Sequence, residues 1–518
     1  MIREILGKEL LVNLLSLRFM IGLVVAMLLM GLVGYVLMAD YSARYQTYLG
    51  DLQRHQNELS QTRVFSKVQV ILDIPPSPLS VFSRGMRDLP SSITISPYHI
   101  PTLVDDAGSS ETIHLSGTDK NPVNPLLKVF GSLDVCFVIS VVLSLFALLL
   151  VFDSLSGERE AGTLKLVFSA PAGRVNLLLG KFLGAVITMA IPLTIGFLEV
   201  LILFASSQQV SLRGPDWAGL GLIYSFSLLY LAGFLALGLL VSLFTRESSS
   251  GLMASLLAWA VVVIVLPSGL GSLARYYYPE RREEAMLEEL DRRFSDEFNR
   301  IPYRQVSSWN MAQTDPHRGE SLLGITREEA FNRSEYVKKA FPLKFRYAED
   351  RYRIAQAYAD RLATWRRTRD NLIRPSLSFL YGKICSAVSG TDLETYDAAL
   401  TRARLYRDAL QSYLLPKVAR PEWFTRIFEY PDMEPTQANE QAWRALEEKE
   451  GSDVYLKKIW TWSRVAPLDL AGMPLMQDNR PGLWARTEGS FWDVVILLGM
   501  TGCFLVLALR RILHYPVD

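Results

Sequence analysis

The chain has 518 residues, 50% of them hydrophobic, and its mean hydropathy of +0.17 is high for a soluble protein. Its 54 basic and 53 acidic residues nearly cancel, so no global field points to nucleic acid or an anionic substrate. Three cysteines, two in apolar runs (Cys136, Cys503) and one in a polar region (Cys385), make neither a disulfide framework nor a metal set.

The first element, residues 1–18, places Ile2, Ile5, Leu6, Leu10, Leu14 and Leu17 near one helical face, with Arg3, Lys8 and Glu9 elsewhere. That pattern suits an amphipathic helix lying in the membrane interface, or a cytoplasmic extension of the first span. Residues 19–39 are long and apolar enough to cross a bilayer, and VLMAD lacks a small-x-small cleavage site, so the segment reads as a retained anchor. A first insert, 40–128, begins with Tyr41, Tyr45, Tyr48, Leu52 and Leu59 at helical spacing, which continues the span outward. VQVILDI, ITISP and TIHLSG follow as short strands separated by PPSP, LPSS and DDAGSS.

Further spans are expected at 129–152, 182–206, 217–244, 250–272 and 490–509, which makes six. Between the fifth and sixth lies a charged segment, 273–489, with helical periodicity in ERREEAMLEELDRRFSDEFNR and DAALTRARLYRDALQSYL. It is large enough to bury a core of its own. Basic residues flank one set of ends: Arg3, Lys8 and Arg18, then Arg159, Lys165, Arg174 and Lys181, then Arg246, then Arg510 and Arg511 in the tail 510–518. The positive-inside rule puts these ends and both termini in the cytoplasm. The expected fold is therefore an α-helical integral membrane protein of six transmembrane helices. A mainly helical extracytoplasmic domain with a small strand-containing part completes it.

Catalytic signals are missing. The sequence has no G-x-x-x-x-G-K-[ST] to cradle nucleotide phosphates, no His–Glu helix pair for zinc and no G-x-S-x-G elbow. The informative stretch is the cytoplasmic loop 153–181, which opens FDSLSGEREAGTLKLVFSAPAGR. Asp153, Ser154 and Ser156 are suited to cap a helix, Glu158 and Glu160 suit its first turn, and Gly162-Thr163 permits a break before LKLVFSA. Pro171 ends that second piece. Such an element can transmit a push into the two spans it joins, or it can be a capped turn near the headgroups. Two carboxylates lie within apolar runs, Asp134 and Glu199. Each is a candidate to line the outer mouth of a translocation path, or an acceptor of hydrogen bonds from neighbouring helices.

The loop resembles that between the second and third helices of ABC transporter type 2 permeases, which read E-R-E-x-G-T-L, an apolar run, Ser/Thr-x-Pro, Arg and then G-K. Here these are Glu158-Arg159-Glu160, Gly162-Thr163-Leu164, Ser169-Ala170-Pro171, Arg174 and Gly180-Lys181. With the six spans, the likeness covers rather more than half of the chain. It implies a coupling helix that docks on a separate ATPase, with Glu158, Arg159, Glu160 and Thr163 at or beside the contact. It also implies ATP and Mg on that partner only, no catalysis in this chain, a second permease subunit (a copy or a related chain), and a bacterial inner-membrane location. The enlarged inserts depart from ordinary members and favour work on a periplasmic or surface protein beside simple efflux. The competing class, a membrane-anchored extracytoplasmic sensor or scaffold, would need cytoplasmic signalling modules that the short tail RRILHYPVD does not supply.

Overall fold

The computed structural model describes residues 2–85, 90–102, 134–163, 173–207, 212–278, 282–301, 313–314, 321–322, 327–418, 423, 436–450, 467–476 and 481–514. Among these, six helices are long and apolar enough to cross a membrane, and the protein is a multi-pass helical membrane protein. The chain opens with α1 (Ile2–Leu14), which lies against the start of the third span. Ser16 then accepts a hydrogen bond from the Phe19 amide at 3.2 Å and caps α2 (Leu17–Ser60). At 1.5 Å per residue α2 is roughly 66 Å long, about twice the hydrocarbon thickness. Its first half is apolar; its second half carries the tyrosines beyond the membrane.

The second span, α3, is Val135–Val138, a π-helical turn at Ile139–Leu143 and Ser144–Val151. A short helix α4 (Ser156–Glu160) leads to α5 (Arg174–Ser206) and α6 (Gly214–Phe244). The fifth span, α7, is Ser248–Ala260, a second π-helical turn at Val261–Val265 and Leu266–Arg275. The last span is α14 (Phe491–Leu513). The α3 and α6 windows are 67% buried and form the centre; that of α7 is 17% buried, so most of its surface is uncovered. Glycine lets α2 and α5 approach closely: a Cβ on Gly196 would collide with Met30, and one on Gly34 would stand 2.9 Å from Val200. Pro192 sits inside α5 without ending it.

Outside the spans, β1 (Val70–Asp73) pairs antiparallel with β2 (Ser92–Ile95), Val70 opposite Ile95. Ile93 and Ile95 are buried against α11 (Leu393–Leu414) in a core that includes Phe65, Phe341, Tyr396, Leu400 and Trp423. The two inserts thus share one core. The third expected strand, TIHLSG, lies outside the described residues, as do 129–133. A two-residue ladder joins Gln313–Thr314 to Ser321–Leu322. The remaining helices are α8 (Glu283–Asn299), α9 (Arg327–Ile373), α10 (Leu377–Ser389), α12 (Gln437–Glu450) and α13 (Leu483–Thr487).

One segment of each insert joins the core of the spans, and for the large insert this departs from a core wholly of its own. Leu377, Leu380, Tyr381, Ile384, Cys385 and Val388 of α10 are buried in the same core as the spans, and so are Leu79, Val81 and Phe82 of the first insert. Cys385 is therefore in an apolar setting, not a polar one. Thirteen residues are too few to span a bilayer and suit a core or re-entrant helix. Tyr381 stacks on Tyr230 with ring centroids 4.6 Å apart, and its hydroxyl lies 2.7 Å from Ser227 Oγ.

The π turns set up these contacts. Each adds a residue per turn and frees backbone acceptors inside an apolar environment, where they need other donors. Tyr230 donates its hydroxyl to the Ser140 carbonyl at 2.7 Å, and Ser376 Oγ donates to the Val262 carbonyl at 2.9 Å. Trp259 Nε1 donates to Ser144 Oγ at 2.9 Å and ties the fifth span to the second.

Candidate functional site

The residues 153–163 gather at the end of the bundle that holds α1, the start of α5, the α6–α7 turn and the end of α14. The expected side-chain caps are not used. Helix α4 starts after Leu155, and Ser242 Oγ of α6 accepts from the Leu155 and Ser156 amides at 3.1 Å each. Asp153 instead pairs with Arg18 at 2.6 Å, and Ser156 Oγ donates to the Phe152 carbonyl. A serine on a neighbouring helix supplies the acceptor, because the chain turns tightly under α6 and local caps are out of reach of its first amides.

The three charges of the E-R-E run each fasten a different element. Glu158 pairs at 2.8 Å with Lys181, which pairs in turn with Glu9 at 2.9 Å; Lys181 is 5% exposed. Arg159 donates to the Thr245 carbonyl at 2.6 Å and to the Leu243 carbonyl at 3.4 Å, neutralising the carbonyl end of α6. Glu160 accepts from the amide and hydroxyl of Ser248 at 3.0 and 2.7 Å, at the N-terminus of α7. Consecutive residues of one short helix thus hold α1 and α5, α6, and α7.

The helix then stops in a Schellman turn. The Thr163 amide bonds back to the Glu158 carbonyl at 3.0 Å and the Gly162 amide to the Arg159 carbonyl at 3.0 Å, with Gly162 at φ +69°. Glu160, Ala161, Gly162 and Thr163 are exposed, whereas Glu158 and Arg159 are half-buried. Leu164 and Pro171, with the expected second helix, lie outside the described residues. Arg174 starts α5 and donates to the Leu513 carbonyl at 2.9 Å. Lys181, Glu9, Ser242 and Arg18 complete the arrangement. Of these Lys181 had a signal as part of the G-K pair that the loop motif ends on, and Arg18 as a basic residue flanking the first span; nothing in the sequence pointed Glu9 or Ser242 to this contact.

The two carboxylates named from sequence are not together. Asp134 is not inside a span: α3 begins at Val135, and Asp134 caps it, accepting from the Phe137 amide at 2.6 Å and the Arg84 amide at 3.0 Å. Glu199 faces α2, where a Cβ on Gly31 would stand 3.4 Å from its Oε2. That oxygen is buried and has no hydrogen-bond partner among the described residues.

Asp134 stands at the edge of a cleft of about 1000 Å³ at the opposite end of the bundle, between α3, α7, α9, α10 and α11. Beside the cleft, Asp493 is fully buried at the start of α14 and binds Arg374 at 2.8 Å and Lys383 at 3.2 Å. This network joins the last span to the large insert; Asp493 stands out in the sequence as a carboxylate near the end of an apolar run, but its partners, each more than a hundred positions away, do not.

Residues 3–294, slightly more than half of the chain, match the family of ABC-2 family transporter proteins. Among curated proteins, a probable ABC transporter permease protein NosY from Pseudomonas aeruginosa is 38% identical over 130 residues, 24% of this chain and 46% of the relative. A protein of the same name from Stutzerimonas stutzeri is 37% identical over 122 residues, 23% of this chain and 44% of the relative. The chain thus spans less than half the length of the curated relatives it matches.

Proposed function

The chain belongs to the ABC-2 family of transporter proteins, and from that premise we propose that it is the permease subunit of an ATP-binding cassette exporter. ATP and Mg sit on a separate cytoplasmic ATPase, and this chain converts its movement into export or into mechanical work outside the membrane. The end that gathers Arg18, Arg159, Arg174, Lys181, Arg246 and Arg510 is the cytoplasmic one in this reading. The observation that carries it is the construction of α4. Its charges lock it to four helices while residues 160–163 stay exposed, so a force applied there enters the bundle through α1, α5, α6 and α7 together. Residues 160–163 are the docking surface; Glu158, Arg159 and Arg174 position it. A second permease, identical or related, covers the open side of α7. The shared core of the two inserts, joined to α14 through Asp493, favours transmission to the outer domain.

Ala161 is exposed and its methyl side chain makes no hydrogen bond, so Ala161→Arg tests docking while leaving the charges that hold α4 in place. The full chain is purified under mild detergent from its native membranes, and ATP hydrolysis in the eluate is measured. The expected result is an intact permease with at least a tenfold loss of co-purified ATPase activity. Equal activity in wild type and variant would remove residues 160–163 from the contact.

A further inference from the structure

The cleft at the outer end has two unlike walls. Phe137 of α3 and Val263 and Pro267 of α7 supply an apolar one from membrane-crossing helices, while α9 and α11, with Lys383 of α10, supply one that carries both cations and carboxylates. On the charged wall Arg366 has two buried donors, Nε and Nη2, with no hydrogen-bond acceptor among the described residues. The nearby carboxylates do not serve it. Asp370 is taken by Arg369 at 2.8 Å and Lys383 at 3.6 Å, and Asp397 makes no ion pair with it. Burial first, and then the neighbouring Arg369, push the Arg366 guanidinium below its ordinary pKa. A buried guanidinium with unused donors is costly, and the charge of an oxyanion held against its cleft-facing side would offset that cost.

We propose that this cleft binds an anionic amphiphile, its oxyanion headgroup on Arg366 and its chain along Phe137, Val263 and Pro267. The volume of about 1000 Å³ is at the upper end for small-molecule sites and far exceeds what a free phosphate fills. The apolar wall, on the poorly covered α7, gives the remainder of the ligand its surface. The site goes beyond the ATPase coupling and does not rest on it.

Gly382 of α10 lines the cleft, and a Cβ there would meet nothing within 4 Å. Gly382→Phe therefore fills the cleft without a clash at the backbone. The test is isothermal titration of the full permease, without ATPase, in discs of zwitterionic lipid, using dodecyl phosphate as probe. Saturable binding is expected, weakened at least tenfold by Arg366→Gln and by Gly382→Phe. Inorganic phosphate should bind at least tenfold more weakly than dodecyl phosphate. Arg353→Gln, an exposed position on the same helix, should bind as wild type does. If Arg366→Gln lowers the melting temperature, Gly382→Phe decides. Undiminished binding in the folded variants, or inorganic phosphate binding as tightly as the amphiphile, overturns the proposal. Competition by phosphatidylglycerol placed in the discs would support the site and assign its supply to the membrane. Lack of competition, with dodecyl phosphate still bound, would support it with a soluble amphiphile as the source. Loss of ATPase in Ala161→Arg leaves this result unaffected, so the two readings fail separately.

Discussion

Lys181 is enclosed between two carboxylates, 2.9 Å from Glu9 and 2.8 Å from Glu158. A lysine in that setting is tolerated only because both partners are present; removing it leaves two partly buried like charges facing each other. Lys181→Met should therefore destabilise the protein by about 2–4 kcal/mol, read as a fall in the thermal midpoint of the detergent-solubilised chain. The triple change Glu9→Gln, Lys181→Met, Glu158→Gln should recover most of the loss, because no charge is then left unpaired. A triple variant as unstable as the single one would mean that Lys181 acts through packing. The sequence displays Glu158 and Lys181 as parts of one motif, but nothing in it indicates Glu9, on a helix that only tertiary folding brings against α5. The same limit applies to Arg366, whose Nε and Nη2 find no acceptor among the described residues only once the cleft is assembled.

At the scale of elements, α4 depends on how it stops. Gly162 is the left-handed residue of its Schellman turn, and a Cβ there has open space around it. The cost of Gly162→Ala is then conformational alone, about 1 kcal/mol, with Gly162→Asn costing less. Since the strain is relieved by unwinding α4, co-purified ATPase activity should fall more than thermal stability does. An alanine variant that retains full ATPase would show that the turn is not needed for docking. The break at Gly162-Thr163 was legible because glycine before a polar residue signals such a stop. The caps were not, since Asp153, Ser154 and Ser156 all fit the local pattern and the acceptor in use, Ser242, is on another helix. The six spans were legible because each carries an unbroken apolar run. The π turns at Ile139–Leu143 and Val261–Val265 were hidden for the same reason: one extra residue leaves such a run unchanged.

The whole molecule is less divisible than its charge pattern implies. Composition separates 273–489 from the spans cleanly and leads to an outer domain with its own core, yet α10 from the middle of that segment is packed against α6, α13 and α14. A helix of its length and apolarity reads the same whether it sits in a soluble core or beside membrane helices, so sequence alone could not assign it. Excising 273–489 would strip Leu377, Leu380, Tyr381, Ile384 and Val388 from the bundle core. It would also leave Asp493 buried without Arg374 or Lys383 and the Val262 carbonyl without Ser376. Each fault costs kcal/mol in a setting where water does not replace the lost partner. The excised variant, its fifth and sixth spans rejoined by a flexible linker, should therefore run as an aggregate on size exclusion, whereas an insert that folded independently would leave a monodisperse six-helix bundle. If the bundle does survive excision, the outer helices do not depend on α10 for force, and the route from α4 to the outer domain would have to run through α2 or through the end of α7, where Trp365 donates to the Ala274 carbonyl.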